Sequence, residues 1–385
     1  MVCVLMSNST GIQGIRDGGN RHILASGAVY LSLLPVVFVL VSVIASVGVG
    51  GALPNDSLAT LDQPADDPED ELEIHYINVG QADATLVITP TNETMLIDSG
   101  DWRDDGETVL RYLETHEIER IDYLVATHAH ADHIGGHAAI IEHYESEKDG
   151  IGEVWDSGVP HTTQTYENYL DAIEEHDVDL VVAREGDELP LAGVNVTLFN
   201  PPHDSDYPDD QYYNSLTLLV EYENSSFLFT GDAQERAESR MANEYGEYLD
   251  ADVYQAGHHG SESASTDEFL ETVAPQLTVL SSAYDSQYGH PHNETLDRFA
   301  AHGVETYWTG THGTIVLTTN GTELVVKTQH DAPTDPQALR DGEEATADPV
   351  DPVEERERAP VDSDAELKRS LGLPTGIENP ESVLA

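Results

Sequence analysis

The chain predicts an α/β fold of two mixed β-sheets flanked by helices. Between residues 72 and 330, short apolar runs of strand length alternate with amphipathic stretches of helix length. The early runs follow one another closely, as hairpin partners do, whereas helices separate the later ones, which argues against a simple parallel wound sheet. The 385 residues, 39% of them hydrophobic, also suffice to bury a large core.

In order, strands are expected at 72–79, 84–89, 94–98 and 121–126, where β-branched and aromatic residues cluster between turn formers. Further strands are expected at 178–183, 194–199, 215–222, 226–230, 251–255, 276–281, 304–308 and 313–318. Helical periodicity marks 106–117, 133–145, 164–176, 233–245, 267–273 and 293–302. No internal repeat is visible.

The flanks differ in texture. Residues 1–22 form a short N-terminal segment, and residues 23–53 carry no charge. Such a run is long enough for a transmembrane anchor, which needs about 20 apolar residues. It also fits a long signal peptide ending near the small residues Gly50-Gly51-Ala52. Arg16 and Arg21 before it and acidic residues after it favour a domain displayed outside the cell. A single apolar segment suits an anchor better than a multispanning channel. Seven of the fourteen asparagines lie in Asn-x-Ser/Thr triplets, which agrees with export. Residues 54–71, rich in Pro and Asp, read as an acidic linker, and residues 331–385, with 15 acidic and 5 basic residues, as a disordered acidic tail.

Asp and Glu total 73 against 16 Lys and Arg, a formal net charge of −57. In dilute buffer such a chain repels itself strongly. In molar salt the Debye length falls to about 3 Å and the repulsion is screened. The composition therefore points to a halophilic protein. It also excludes long-range attraction to phosphate backbones, which needs a basic surface. Cys3 is the sole cysteine, so an internal disulfide and a thiolate metal site are both excluded.

The chemistry concentrates at Thr127-His128-Ala129-His130-Ala131-Asp132-His133, directly after the apolar strand at 121–126. His128 and His130, two apart on extended backbone, point to the same side. Asp132 and His133 sit where the chain turns into the next helix, and Gly135-Gly136 allow close backbone approach there. Imidazoles and a carboxylate without thiolates suit a catalytic zinc or manganese site better than a closed structural one.

His128-x-His130-x-Asp132-His133 resembles the signature of the metallo-β-lactamase superfamily. Further segments resemble the hydrolase domain of the DNA-uptake competence proteins of ComEC type. They are Asn78-Val79-Gly80-Gln81-Ala82-Asp83-Ala84, Leu96-Ile97-Asp98-Ser99-Gly100, Asn214-Ser215-Leu216, Phe229-Thr230-Gly231-Asp232, Gly257-His258-His259-Gly260-Ser261 and Tyr288-Gly289-His290-Pro291-His292. The resemblance covers most of residues 72–328 and implies an αββα sandwich. It implies two divalent metal ions, zinc or manganese. His128 and His130 would hold one, Asp132, His133 and His258 the other, and Asp232 would bridge them. A metal-bound hydroxide would be the nucleophile, and His290 or His259 would protonate the leaving oxygen, with Asp132 contributing to catalysis. Asp98 would orient a ligand histidine. Where many members of the superfamily have another histidine, this chain has Asn214, a departure that weakens the first metal site; His161 is an outside candidate to replace it.

Other polar residues read more plainly. His137 and His143 are expected on a surface or behind the ligands, and Asp101, Asp104 and Asp105 in a solvated turn. Tyr207, Tyr212 and Tyr213 either stack bases or pack a loop at the mouth of the site. The leading expectation is a metal-dependent phosphodiesterase or nuclease with DNA or another phosphodiester as substrate. Membrane contact would run through residues 23–53, unless they are cleaved. Hydrolysis of a small ester, lactone or thioester is the first alternative. A non-catalytic extracellular binding module is the second, and the full set of motif residues argues against it.

Overall fold

The computed structural model describes residues 71–361, which fall in one compact unit within Asp62–Ala385. The expected membrane segment at 23–53 lies outside the described residues, as do residues 1–22, nearly all of the linker and residues 362–385. Among the described residues, no helix is long and apolar enough to cross a membrane.

The chain opens with β1 (Leu72–Tyr76), β2 (Thr85–Ile88) and β3 (Thr94–Ile97), an antiparallel meander. Helix α1 (Glu107–Thr115), β4 (Ile121–Ala126), α2 (His137–Glu147), β5 (Ile151–Asp156), α3 (Gln164–His176) and β6 (Asp179–Val182) follow, with β3 to β6 paired in parallel. A second meander comprises β7 (Asn195–Asn200), β8 (Thr217–Tyr222) and β9 (Ser225–Phe229). Then come α4 (Glu235–Tyr245), β10 (Val253–Gln255), α5 (Asp267–Val273), β11 (Leu277–Leu280), α6 (Asn293–His302) and β12 (Glu305–Trp308), with β9 to β12 parallel. A one-turn helix α7 (Thr309–His312) leads into β13 (Ile315–Thr319), β14 (Glu323–Thr328) and β15 (Glu354–Pro360).

Among the described residues these strands form two mixed sheets, ordered β15-β14-β13-β1-β2-β3-β4-β5-β6 and β12-β11-β10-β9-β8-β7. The period-2 alternation of strand side chains builds the layers. On β1, Leu72, Ile74 and Tyr76 are fully buried between the sheets, while His75 turns the other way and bonds the Tyr112 hydroxyl of α1 at 2.8 Å. Val125 of β4 likewise enters the core between the sheets, and Leu124 and Ala126 enter the core under α1, α2 and α3. A third core, with Leu228, Met241, Phe269 and Phe299, joins the second sheet to α4, α5 and α6. Three apolar layers between four structural layers make the αββα sandwich that the resemblance implies.

Several elements depart from expectation. β5 and β14 were not expected, because Gly152 and Glu153 interrupt the first and charged ends flank the second. Helix α2 starts at His137 rather than at 133. Residues 133–136 form a tight turn instead, and a Cβ on Gly135 would collide with the backbone of Asp101 and Trp102. The tail expected to be disordered from residue 331 is ordered through 361. Leu339 is fully buried in the third core, and β15 pairs antiparallel with β14. Its sequence Glu-Glu-Arg-Glu-Arg-Ala-Pro lacks an apolar face because it is an edge strand held by backbone hydrogen bonds and by Arg358 on Glu323 at 3.0 Å.

Candidate metal centre

The residues singled out in the sequence converge where loops leave the C-terminal ends of β3, β4, β9, β10 and β11. Strand ends of this kind open a crevice with rigid walls. Thr127 to His133 follow β4, Asp98 follows β3, Asp232 follows β9, and His258 and His259 follow β10. Asp232 is placed by close packing. Gly231 before it has φ 49°, and a Cβ there would lie 2.5 Å from Ser215 Oγ and 2.7 Å from Thr127 Cβ. Ser215 Oγ in turn accepts from the Asp232 amide at 3.0 Å, and Leu216 N donates to Thr127 O at 2.8 Å. The Asn214-Ser215-Leu216 motif thereby ties the second sheet to the end of β4.

The carboxylate of Asp232 is the hub. Its Oδ2 lies 3.4 Å from His128 Nε2 and 3.5 Å from His258 Nε2. Its Oδ1 lies 3.2 Å from His133 Nε2 and 3.8 Å from His259 Nε2. His130 Nδ1 is 2.8 Å from His128 Nε2, and Asp132 Oδ2 is 3.4 Å from His259 Nε2. Ligand atoms about 2.1 Å from a tetrahedral metal stand roughly 3.4 Å apart, so both sets have suitable spacing. Among the described residues, His128, His130 and Asp232 form one cluster able to hold an ion, and Asp83, His133, Asp232 and His259 form another.

Three buried atoms facing this hub, His133 Nε2, Asp232 Oδ1 and His259 Nε2, have no hydrogen-bond partner. Buried polar atoms left in this way are costly unless a cation fills the space between them. The residues therefore fit a metal. Their outward nitrogens are occupied: His133 Nδ1 bonds Asp98 Oδ2 at 2.7 Å, and His259 Nδ1 donates to Ser281 O at 3.0 Å. Asp83 Oδ2 stands on that outer side, 3.5 Å from His259 Nδ1, and its Oδ1 accepts from Gln255 Nε2 at 3.0 Å. Asp132 Oδ2, by contrast, faces His259 Nε2, on the side of the ring turned to Asp232.

The electrostatics agree. Burial would raise the Asp232 carboxyl, but His133, His258, His128 and His259 around it hold it well below the usual range. Burial opposes charge on His133, yet Asp232 and Asp98 outweigh it and hold its pKa well above that of a free imidazole. Burial works against His259 too, and Asp83, Asp232 and Asp132 lift it to about 9. Four carboxylates in so enclosed a place demand positive charge.

His258 Nε2 stands against Oδ2 of Asp232, as His128 Nε2 does, and His259 Nε2 stands on the Oδ1 side with His133 Nε2. The reason is local: His258 and His259 both have left-handed backbones, with φ 51° and 55°, and their rings end on opposite oxygens. The ring centre of His290 is 5.7 Å from that of His258 and its Nδ1 is 3.3 Å from Gln81 Nε2, and burial lowers its pKa to about 4. His161 bonds Thr163 Oγ1 at 3.1 Å and its ring centre is 5.5 Å from that of His130. His143 is near Glu114, while His137 is fully buried with Nδ1 2.6 Å from Ser99 Oγ. Sequence reasoning missed Gln211 and the positioning roles of Thr127 and Asp83. Gln211 Oε1 accepts from the Ala129 amide at 3.1 Å, and Thr127 Oγ1 donates to Asp98 Oδ2 at 2.7 Å. The position of Asp83 in the Asn78–Ala84 motif was the available signal.

The sequence profile of the metallo-beta-lactamase superfamily matches residues 77–283, more than half of the chain. The chain is 28% identical over 261 residues to ComE operon protein 3 of Bacillus subtilis, covering 64% of this chain and 33% of that protein. It is 27% identical over 249 residues to competence protein ComA of Neisseria gonorrhoeae, covering 64% and 32%. Recombination protein 2 of Haemophilus influenzae is 26% identical over 230 residues, covering 59% and 26%. The chain thus spans at most about a third of the length of these relatives. On the profile match and on the order of its motifs, the chain belongs to the metallo-β-lactamase superfamily and is a metal-dependent hydrolase.

Proposed function

We propose that the chain is a phosphodiesterase acting on nucleic acid, with two divalent ions, zinc or manganese, sharing Asp232. The observation that carries this is the pair of ligand sets on the two oxygens of one carboxylate. His128 and His130 would hold one ion, and Asp132, His133 and His259 the other. Such a pair, when bound, acidifies water and neutralises both the entering and the leaving oxygen of a displacement. The competence-type relatives support a DNA substrate.

The chain's own side chains would do the rest. Asp98 and Ser281 O fix the rings of His133 and His259. Gln81 aims His290 at the mouth, where its ring can hydrogen-bond a leaving oxygen. A cavity of about 440 Å³ lies beside the Oδ2 side, lined by Tyr212, Tyr213, Gln234, Arg236 and Ser263 among others. Tyr212 lies 5.0 Å, ring centre to ring centre, from both His130 and His258. Exposed Tyr207 carries the Arg236 guanidinium at 4.3 Å, and exposed Trp102 carries Arg103 at 4.8 Å. Aromatic faces with arginine offer bases a stacking surface and phosphates a local charge in an otherwise acidic protein. The enzyme would stand outside the cell, delivered or anchored by residues 23–53, and would work at high ionic strength.

The test uses the full chain purified in molar salt with mild detergent. Loaded with zinc or manganese, it should cleave bis-(p-nitrophenyl) phosphate and single-stranded DNA. His128→Ala and Asp232→Ala should each lower both rates by at least about a hundredfold, as loss of a main charge-stabilising group does. A fully metal-loaded protein that cleaves neither would refute the reading and favour a small ester or lactone.

A further inference from the structure

We infer that His258 fills the ligand position that Asn214 leaves open, so that the turn Gly257–Gly260 delivers one imidazole to each metal. This rests on the two-metal centre above but not on its substrate.

Asn214 is buried, and its amide is turned away from the centre. Nδ2 donates to Tyr207 O at 2.7 Å and to Asp210 O at 2.8 Å, holding the loop before β8. Without another group, the Oδ2 side of Asp232 would have only His128 and His130. His258 stands in that gap. Its Nε2 is 3.5 Å from the same Oδ2 that lies 3.4 Å from His128 Nε2, so both rings face one carboxylate oxygen.

The ring is also oriented for ligation. Its Nδ1 lies 3.3 Å from Ser263 Oγ, an acceptor for the Nδ1 proton, and 3.1 Å from Gln234 Nε2, whose amide turned end for end presents an acceptor oxygen there. A proton held at Nδ1 leaves the Nε2 lone pair for a cation. His259, the next residue, has the same arrangement on the other side of Asp232, with Nδ1 on Ser281 O and a buried Nε2 lacking a hydrogen-bond partner.

The backbone points the same way. Two consecutive residues other than glycine with φ 51° and 55° hold a left-handed conformation that side-chain sterics disfavour. A turn with asparagine or glycine at these positions would relieve it. Strain at two adjacent histidines whose rings reach opposite oxygens of one carboxylate is explained if both rings are needed. The first metal would then have three imidazoles, His128, His130 and His258, plus one oxygen of the shared carboxylate. The site would be complete rather than weakened.

The measurement is metal content and affinity of the full chain, stripped with chelator and titrated with cobalt(II), with the visible absorption reporting the ligand set. Wild type should bind two ions. His258→Ala should keep one at wild-type affinity and bind the second more than about a hundredfold more weakly. His259→Ala should also keep one, with a different cobalt spectrum because the other ligand set survives. If His258→Ala fails to fold, His258→Asn, which tolerates the left-handed backbone but is too short to reach the ion, should show the same weakening of one ion and retention of the other. Two ions at wild-type affinity in a folded His258 variant, loss of both ions from one, or a wild type that binds a single ion would overturn the inference. Two ions with no phosphodiester cleavage would refute only the proposed substrate.

Discussion

Asp98 lies behind the ligands, yet three hydrogen bonds converge on its carboxylate. Oδ1 accepts from Thr127 N at 2.9 Å, and Oδ2 from Thr127 Oγ1 at 2.7 Å and His133 Nδ1 at 2.7 Å. One buried residue therefore fixes the end of β4 and the orientation of the His133 ring. Groups that orient metal-bound histidines commonly contribute about 10–100-fold in metal affinity. Asp98→Ala should weaken metal binding by that order, with Asp98→Asn between it and wild type, because an amide oxygen can still accept one of the three bonds. Chelator competition would measure this, and an unchanged affinity in the alanine variant would remove Asp98 from the site. By the same reasoning Asp83 is assigned a positioning role in the proposed centre. It is close to His259, but on the nitrogen that already carries a proton to Ser281.

Elements with strong periodicity fall where the pattern of residues puts them: β4, α3, α5 and α6 coincide with the expected ranges. Elements set by contacts do not. Helix α2 begins late because Gly135 and Gly136 press against the loop after β3. The segment after 331 folds onto the domain because β14 offers it a free edge and α7 and β12 offer it an apolar seat. Leu339 fills that seat, Arg340 lies over the Trp308 ring at 5.9 Å, and Tyr307 donates to Glu357 at 3.0 Å. Leu339→Ala should destabilise the domain by about 2–5 kcal/mol, the usual cost of emptying a fully buried leucine site. Denaturant unfolding would read it. A loss under about 0.5 kcal/mol is what a surface or disordered position gives, and would show that the segment does not belong to the core.

At the scale of the whole molecule, the charge of −57 sets the conditions in which the fold holds. Ion pairs such as Arg111 with Asp348 and Arg358 with Glu323 link exposed partners and contribute little. Repulsion among the remaining acids is then the larger electrostatic term, and screening it should stabilise the fold. Raising KCl from about 0.1 M to about 2 M, where the Debye length drops from about 10 Å to a few Å, should raise the melting temperature by ten degrees or more. A melting temperature that stays constant or falls over that range would exclude adaptation to high salt. Hydrolysis should follow the same trend, since substrate is not drawn in by a basic surface.

What the sequence determined alone is the information carried by neighbours along the chain. Alternation on β1 and β4, the helical period of α3 and α6, and the His128–His133 motif are each legible within a few residues, because strand and helix geometry repeat locally. From these came the class of two mixed sheets flanked by helices and the ligand motif, while Asp232 as a bridge came only as what the family resemblance implies. Only the tertiary structure decided which ring faces which oxygen of Asp232, that Asp83 and Thr127 stand behind the ligands, and that a charged strand closes the first sheet. Those outcomes depend on loops from five strand ends meeting at one point, and on strained φ angles at His258 and His259 that no spacing along the chain encodes.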